Sequence, residues 1–281
     1  MTPLYRIQLG SPAILEFRGP DAVRFLNGQL TQDVRRVVGS GVSLSSCVTD
    51  AKAKLQFRVR LLAVEPEVVW VEGLADWAEA LEARLTRYLI ADDVETADRT
   101  SSFRLVHFTG VVGAPPAAVI ARASNRFGVD GTDWWVPASL EIEFPEGSLE
   151  LAGDGLEDFR IGNGVPAWGA ELREGMLPPE ARLEPTDLSY QKGCYIGQEV
   201  ISRVKSAGKV NRYLSRFRFA EEVPLALGPL ENADGVAVGE LTSISPLAHG
   251  GKRWALGYLK RGAEDGFFRA ADRTVYQAKI V

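Results

Sequence analysis

Cysteine and histidine are scarce in this chain, which has only two of each among its 281 residues. Cys47 and Cys194 lie far apart, so they predict neither a disulfide framework nor a Cys-x-x-Cys metal pair. His107 and His249 are not spaced like metal ligands either. The sequence therefore predicts free thiols in a reducing compartment and no metal site.

Several other signals are missing. No uninterrupted apolar run approaches the roughly 18 residues that a membrane span needs, and the N-terminal segment does not resemble a signal peptide. There is no phosphate-binding P-loop and no dinucleotide-binding Gly-x-Gly-x-x-Gly motif. A net charge of −5 argues against a nucleic-acid partner, because such proteins usually carry a basic face. We expect a cytoplasmic protein without membrane or nucleic-acid partners.

The pattern that is present indicates an α+β protein. Apolar residues at helical spacing predict a helix from Pro20 that breaks at Asn27–Gly28, and a second helix over residues 74–90. Alternating residues between them predict strands, as in "LQFRVRLLAV". From about residue 209 short strands separated by turn residues predict a small all-β barrel or sandwich.

The stretch "QKGCYIGQEVISRV" (191–204) is the strongest candidate for chemistry. A cysteine reacts as its thiolate, and a nearby cation such as Lys192 lowers the pKa of a thiol. Gly193 and Gly197 allow tight backbone geometry, while Gln198 and Glu199 add an amide and a carboxylate. The alternative is a turn in which Cys194 is merely small and buried.

Four stretches together resemble one protein family. "KGCYIGQE" (192–199) matches the signature of the YgfZ-like folate-binding proteins, relatives of the glycine-cleavage T protein (aminomethyltransferase) and of mitochondrial iron–sulfur assembly factors. "FLNGQLTQDV" (25–34), "RIGNGVPAWGAEL" (160–172) and "GELTSISPLAHGGKRWALGYL" (239–259) are similar to other parts of these proteins, in the same order. The signature is specific, whereas the other three stretches are weak individually.

The resemblance implies a fold of ferredoxin-like α+β modules around a central hole, followed by a C-terminal β-barrel. It divides the chain into a folate-binding region, residues 1–208, and a barrel, residues 209–281. Within the first region it implies two interleaved subdomains, about 1–45 with 145–208, and about 46–144.

The resemblance also implies a function. It indicates tetrahydrofolate binding and a role in making or repairing iron–sulfur clusters, with iron–sulfur client or assembly proteins as partners. It makes Cys194 the functional thiol, with Lys192 biasing it toward thiolate. The residues implied for cofactor binding are Gly193, Tyr195, Gly197, Gln198, Glu199 and Arg203.

The chain departs from its relatives at two places. Gly162 stands where they usually carry a carboxylate, and aminomethyl transfer needs an acidic group near the folate nitrogens. The segment 49–57 lacks the usual glycine, and Asp50 is the remaining carboxylate there. Two alternative functions therefore stay open: an aminomethyltransferase of the T-protein type, and a thiol redox or binding module.

A basic stretch follows the signature. "SRVKSAGKVNR" (202–212) contains cations suited to an acidic protein surface or the glutamate tail of a folate: Arg203, Lys205, Lys209 and Arg212. A solvated linker into the barrel explains the same residues equally well.

Overall fold

In a computed structural model, which describes residues 3–208, 210–263 and 266–281, the chain forms two compact units. Unit 1 comprises Met1–Leu151 and Glu184–Ser202, and unit 2 comprises Ala152–Leu183 and Arg203–Val281. Residues 152–183 thus group with the C-terminal strands. The boundary at residue 208 and the two interleaved subdomains stay predictions.

Unit 1 contains two five-stranded sheets, three helices and the first part of a fourth helix. Its strands are β1 (Tyr5–Gly10), β2 (Ala13–Arg18), β3 (Ser43–Thr49), β4 (Leu55–Glu65), β5 (Val68–Gly73), β6 (Glu95–Asp98), β7 (Phe103–Phe108), β8 (Ile120–Ser124), β9 (Gly131–Pro137) and β10 (Leu149–Glu150). Its helices are α1 (Ala22–Gln29), α2 (Ala78–Thr86) and α4 (Glu184–Asp187), with 3-10 turns at Val34–Val37, Ala75–Trp77 and Thr100–Ser102.

The sheets of unit 1 are layered. The sheet of order β3-β4-β5-β2-β6 packs one face against α1 and α2, where Leu26, Leu81 and Leu85 are buried. Its other face meets the sheet of order β10-β1-β7-β9-β8 across a core that includes Trp70 and Trp135. Because both faces of the first sheet are covered, its central strands read as nearly continuous apolar runs.

Unit 2 is a curled sheet with one face against a helix. Its strand order is β16-β15-β12-β13-β14-β11-β17. The strands are β11 (Arg212–Ala220), β12 (Gly228–Asn232), β13 (Ala237–Ala248), β14 (Lys252–Lys260), β15 (Phe267–Arg269), β16 (Val275–Gln277) and β17 (Lys279–Ile280). Helix α3 (Gly153–Gly162) and a 3-10 turn (Pro178–Ala181) complete the unit, and α5 (Gln198–Ala207) begins in unit 1 and ends in unit 2.

The α+β class with a C-terminal barrel-like sheet is confirmed, and one local prediction is wrong. Helix α1 does not break at Asn27–Gly28 but continues to Gln29. Gly28 is absent from the residues with positive φ, so it accepts the helical conformation and the turn begins only after it. Among the described residues, none of the helices has the length and apolar character to cross a membrane.

Candidate functional site

The signature lies in unit 1 as an irregular segment between α4 and α5, and its residues alternate between anchored and exposed. Lys192 and Tyr195 are buried, at 6% and 7% exposure. Between them Gly193 and Cys194 are exposed. Two buried side chains thus present a short tip that carries the thiol to solvent. The alternative in which Cys194 is a small buried residue is wrong.

Lys192 anchors this tip through its ammonium group. The Nζ atom donates hydrogen bonds to the backbone carbonyls of Asn27 (2.7 Å), Leu30 (2.5 Å) and Gln32 (2.8 Å). These carbonyls belong to the end of α1 and the loop after it, and they match the three donors of an ammonium. The Nζ atom also lies 5.0 Å from the ring centroid of Tyr195.

Burial has a strong effect on this lysine. It lowers the pKa of Lys192 to about 7, while the negative charge of Asp33 partly opposes the shift and the positive charge of Arg35 adds to it. The ammonium is oriented by carbonyl dipoles and has no carboxylate hydrogen-bonded to it in the part of the chain described. The bias of Cys194 toward thiolate by Lys192 stays a prediction, because the observed contacts of the ammonium are those of an anchor.

Gly197 is required where the signature turns into α5. Its φ is +87°, and a Cβ atom at this position would lie 2.6 Å from the backbone oxygen of Asp50 and 2.9 Å from Ala53 Cα. The approach is fixed by Thr49, whose hydroxyl donates to the Ile196 carbonyl at 2.7 Å. The signature therefore packs directly on the turn between β3 and β4.

A cavity of about 550 Å³ opens beside this contact. Its volume lies within the roughly 300–1,000 Å³ of small-molecule sites. Part of the lining comes from the signature, and the rest comes from the end of α1, the β3–β4 turn and the segment after α2. The lining residues are Gln29, Ala51, Tyr88, Tyr195, Ile196, Gly197, Gln198 and Glu199.

One wall of the cavity is aromatic and faces solvent. Tyr88 is 47% exposed, and the guanidinium carbons of Arg84 and Arg87 lie 5.9 and 5.7 Å from its ring centroid. Arg84 also donates to Gln29 Oε1 at 3.1 Å, which leaves the amide nitrogen of Gln29 as a donor. This wall combines a flat ring, an amide and nearby positive charge.

One of the lining residues, Tyr195, has an unsatisfied polar atom. The hydroxyl of Tyr195 is buried and has no hydrogen-bond partner among the described residues. Burial raises the pKa of Tyr195 above its ordinary value, with further contributions from Tyr190 and Cys47. The phenol therefore stays protonated at neutral pH, and a buried donor without a partner is unusual in folded proteins.

The structure thus brings together some of the predicted residues and separates others. Tyr195, Gly197, Gln198 and Glu199 line the cavity, whereas Gly193 and Cys194 are on the exposed tip beside it. Arg203 is exposed on α5 and belongs to unit 2, so its role in cofactor binding stays a prediction.

Cys47 is buried, whereas Cys194 is exposed. Cys47 is fully buried on β3, and burial raises the pKa of its thiol well above the ordinary value, as does the charge of Asp187. Asp187 is itself neutralised by Arg58, whose Nε atom donates to it at 2.7 Å. Cys47 is therefore a packed residue that stays protonated.

The stretch 160–172, one of those that resemble the YgfZ-like family, is held in unit 2 by a buried ion pair. Arg160 on α3 donates to Glu171 at 2.9 Å and to Glu157 at 2.6 Å, and Glu171 also accepts from the Ser243 hydroxyl at 2.6 Å. This network ties α3 and the loop after it to β13. Its residues therefore hold unit 2 together.

Both histidines also have structural partners. Within unit 1 His107 Nδ1 lies 2.7 Å from Asp133 Oδ1, with both side chains fully buried. Within unit 2 His249 Nε2 lies 2.8 Å from Asp158 Oδ2. In the described ranges, acidic residues, histidines and cysteines do not form a group of three or more that is suited to a metal ion.

The basic stretch after the signature does not form one uniform patch. Arg212 pairs with Glu180 at 2.7 Å and Glu240 at 3.4 Å, so its charge is already neutralised. Arg203 and Lys205 are exposed on α5, and Lys209 lies outside the described residues.

Sequence reasoning missed Gln29, Ala51, Tyr88 and Ile196 as cavity residues. Gln29 lies within the stretch 25–34 that resembles the family, and Ala51 lies in the segment noted for its missing glycine. These signals marked the segments, but only the packing of the signature on the β3–β4 turn identifies the residues. Tyr88 gave no signal beyond its place at the end of a helical pattern.

The chain is similar in sequence to curated proteins. No protein-family model matches the chain. The tRNA-modifying protein YgfZ of Cronobacter sakazakii is 27% identical over 238 residues, covering 75% of this chain and 70% of that protein. The tRNA-modifying protein YgfZ of Serratia proteamaculans is 26% identical over 260 residues, covering 80% and 77%.

A solved structure matches nearly the whole chain. The glycine cleavage system aminomethyltransferase T from Bartonella henselae superimposes with a TM-score of 0.78 at 16% identity, covering 99% of this chain and 84% of that one. The class is thus the aminomethyltransferase-related α+β fold. Within it, this chain has a YgfZ-like fold, as the sequence matches to YgfZ proteins indicate.

Proposed function

We propose that this protein binds a reduced folate, tetrahydrofolate, and uses the Cys194 thiol to assist iron–sulfur cluster assembly or repair in client proteins. One observation carries the proposal: the signature residues line a cavity of ligand size and present an exposed thiol beside it. The signature and the relatives support the family context, and the geometry supports a small-molecule site.

The cavity suits a flat heteroaromatic ligand with an anionic end. Tyr88 offers a ring for stacking, and Gln29 and Tyr195 offer donors for the polar edge of a pterin ring. The guanidinium groups beside Tyr88 favour a carboxylate. When bound, tetrahydrofolate would supply one-carbon chemistry, and the chain's own residues would orient its ring.

The thiol suits transient work on a client. A thiolate is a ligand for iron, and Cys194 is exposed without a set of further metal ligands around it in the described part of the chain. A lone exposed thiolate holds iron weakly and releases it readily to a site with more ligands. The Lys192 ammonium, when protonated, contributes positive charge two residues away.

The names of the relatives indicate the process to which the proposed clients belong. Both YgfZ proteins are named tRNA-modifying. We therefore propose that the clients served by this chain include proteins of tRNA modification.

Folate binding is tested by titrating the full chain with tetrahydrofolate and following tryptophan fluorescence. We expect micromolar binding that Tyr88→Leu weakens about tenfold, because the ligand loses its stacking surface. Phe267→Leu is the matched control, since it removes an aromatic ring of similar exposure, 44%, from unit 2. Equal affinity of the wild type and Tyr88→Leu contradicts the site, and no binding contradicts the cofactor.

The role of the thiol is tested in cells that lack the native protein. We expect Cys194→Ala to bind tetrahydrofolate like the wild type but to leave iron–sulfur enzyme activity low, while Cys47→Ala restores that activity. Full activity with Cys194→Ala contradicts the proposal. Formation of methylenetetrahydrofolate from a loaded aminomethyl carrier would instead favour the transferase alternative, which the absence of a carboxylate at Gly162 argues against.

A further inference from the structure

The outer side of three neighbouring strands in unit 2 carries a cluster of cations around one indole. In the strand register Arg218 on β11 lies opposite Trp254 on β14 and opposite Lys279 on β17. Because directly paired residues share a side of a sheet, and side chains two positions apart also do so, two more cations join them. We call this set the cationic face: Arg216, Arg218, Lys252, Trp254 and Lys279.

The opposite side of the same strands is the core of the unit. Phe217 and Ala255 are fully buried there, and Ile280 packs against them. The cationic face therefore points away from the core. Lys252 and Lys279 are exposed, and Arg216, Arg218 and Trp254 are half-buried.

Trp254 and the two arginines form a stacked group. The guanidinium carbons of Arg216 and Arg218 lie 4.7 and 5.3 Å from the ring centroid of Trp254. Arg216 also donates to the backbone carbonyl of Gly162 at the end of α3. Stacking holds the guanidinium groups in fixed positions with donors left over.

The charge of this face is not neutralised within unit 2. In the described ranges no carboxylate lies within 4 Å of the cations of the face. The cations also repel one another, because like charges are paired across strands, as with Arg218 and Lys279. Arg212, on the same strand, shows the contrast, because Glu180 and Glu240 both pair with it. An external polyanion would relieve the repulsion.

Gly162 keeps the face open. A Cβ atom on Gly162 would lie 3.6 and 3.7 Å from Cδ1 and Nε1 of Trp254, so a longer side chain would cover that edge of the indole. A carboxylate at this position would also approach the guanidinium that donates to the Gly162 carbonyl. The glycine therefore leaves both the ring edge and the positive charge available.

We propose that the cationic face binds single-stranded RNA, with its cations on successive phosphates and Trp254 stacked on an unpaired base. Interleaved cations and aromatic rings are the recognised means of holding a single strand, whereas the bases of a duplex are already stacked. The choice of RNA over DNA rests on the proposed function in tRNA modification. The site itself does not rest on folate binding.

The test is fluorescence anisotropy of a labelled 12-nucleotide mixed-sequence RNA with the full chain at 50–200 mM salt. We expect a log–log salt slope of about −3 for four phosphate contacts and a slope about 0.7 smaller in magnitude for Arg218→Gln. Trp254→Leu is expected to weaken binding at least about fivefold through lost stacking. Gly162→Glu is expected to weaken it further by covering the indole and adding negative charge.

Arg173→Gln is the matched control, because Arg173 is an exposed arginine of unit 2 that is not part of the cationic face. Thermal melting checks that each variant folds, and tetrahydrofolate titration of the same samples reports the proposed function separately. Binding that Arg218→Gln and Gly162→Glu leave unchanged overturns the face as the RNA site. Equal affinity for the DNA strand of the same sequence, or for the RNA duplex, overturns the assignment of single-stranded RNA.

Discussion

Lys192 in unit 1 and Arg160 in unit 2 are both buried cations within motif segments, yet they are held in different ways. Arg160 is held by the carboxylates of Glu157 and Glu171, and Lys192 is held by three backbone carbonyls. Burial opposes the charge of Arg160, but its acidic partners still raise its pKa. Burial lowers the pKa of Lys192 to about 7. Carbonyl dipoles orient a cation, whereas carboxylates also secure its charge.

The largest expected effect comes from replacing Arg160, the cation that carboxylates hold. Arg160→Met leaves the Glu171 carboxylate buried without its cation, which costs about 3–5 kcal/mol of unfolding free energy. Urea unfolding of the full chain, followed by tryptophan fluorescence, measures the loss. Arg173→Met, at an exposed position of the same unit, is expected to change the free energy by no more than about 0.5 kcal/mol. Similar losses in both variants would contradict a structural role for the pair.

The next effect tests whether backbone geometry holds the signature segment. Gly197→Ala forces a side chain into the left-handed region and against the Asp50 carbonyl, so we expect a loss of about 2 kcal/mol or more. Gly193→Ala is the matched control in the same segment, because a Cβ atom there meets nothing within 4 Å. The same unfolding measurement applies to both. A tolerated Gly197→Ala would mean that the β3–β4 turn moves away at little cost.

Lys192, the cation that backbone carbonyls hold, is tested through the pH dependence of the unfolding free energy. The pKa of Lys192 is depressed in the folded state, to about 7, and is about 10.4 in the unfolded chain, so the folded state binds fewer protons between these values. The stability contributed by Lys192 therefore rises with pH from about 7 toward 10, and it is lost as pH falls through 7. The slope is at most about 1.4 kcal/mol per pH unit.

The measurement is urea unfolding at pH 6, 7, 8 and 9. The free energy of the wild type minus that of Lys192→Met should be flat below pH 7 and increase above it. Lys52→Met, which replaces an exposed lysine of unit 1, is measured alongside as the control for removing a lysine. A constant difference for Lys192→Met would show that the carbonyls keep the ammonium charged throughout.

The comparison also shows how far sequence reasoning reaches. The α+β class and the barrel-like C-terminal sheet follow from apolar periodicity and from the resemblance, because both depend on local patterns. The helix through Gly28 was missed, since glycine permits a break without imposing one. The anchoring of Lys192 was missed because its partners are backbone carbonyls more than 150 positions away, and these have no sequence signature.

The cavity residues could not be predicted for the same reason, because contacts between distant segments bring them together. Gln29, Ala51 and Tyr88 come from three separate segments of unit 1, and none is a residue type that marks chemistry by itself. Arg84 joins these segments, because it donates to Gln29 Oε1 and to the Thr49 carbonyl. The close approach that Gly197 permits brings the signature against the β3–β4 turn. The glycine was visible in the sequence as a residue that allows tight geometry, but the partner of that approach, the β3–β4 turn, was not.

The smallest effect on stability is expected at the exposed tip, and it separates the two thiols. Cys194→Ser should change the unfolding free energy by no more than about 0.5 kcal/mol, because the side chain is already in solvent. Iodoacetamide should alkylate Cys194 in the native chain and reach Cys47 only after denaturation, since Cys47 is fully buried and burial keeps its thiol protonated. Peptide mass spectrometry assigns the modified residue. If Cys47 in the folded chain were alkylated as fast as Cys194, β3 would have to open readily. The buried side chains that anchor the exposed tip would then no longer define a fixed site for the Cys194 thiol.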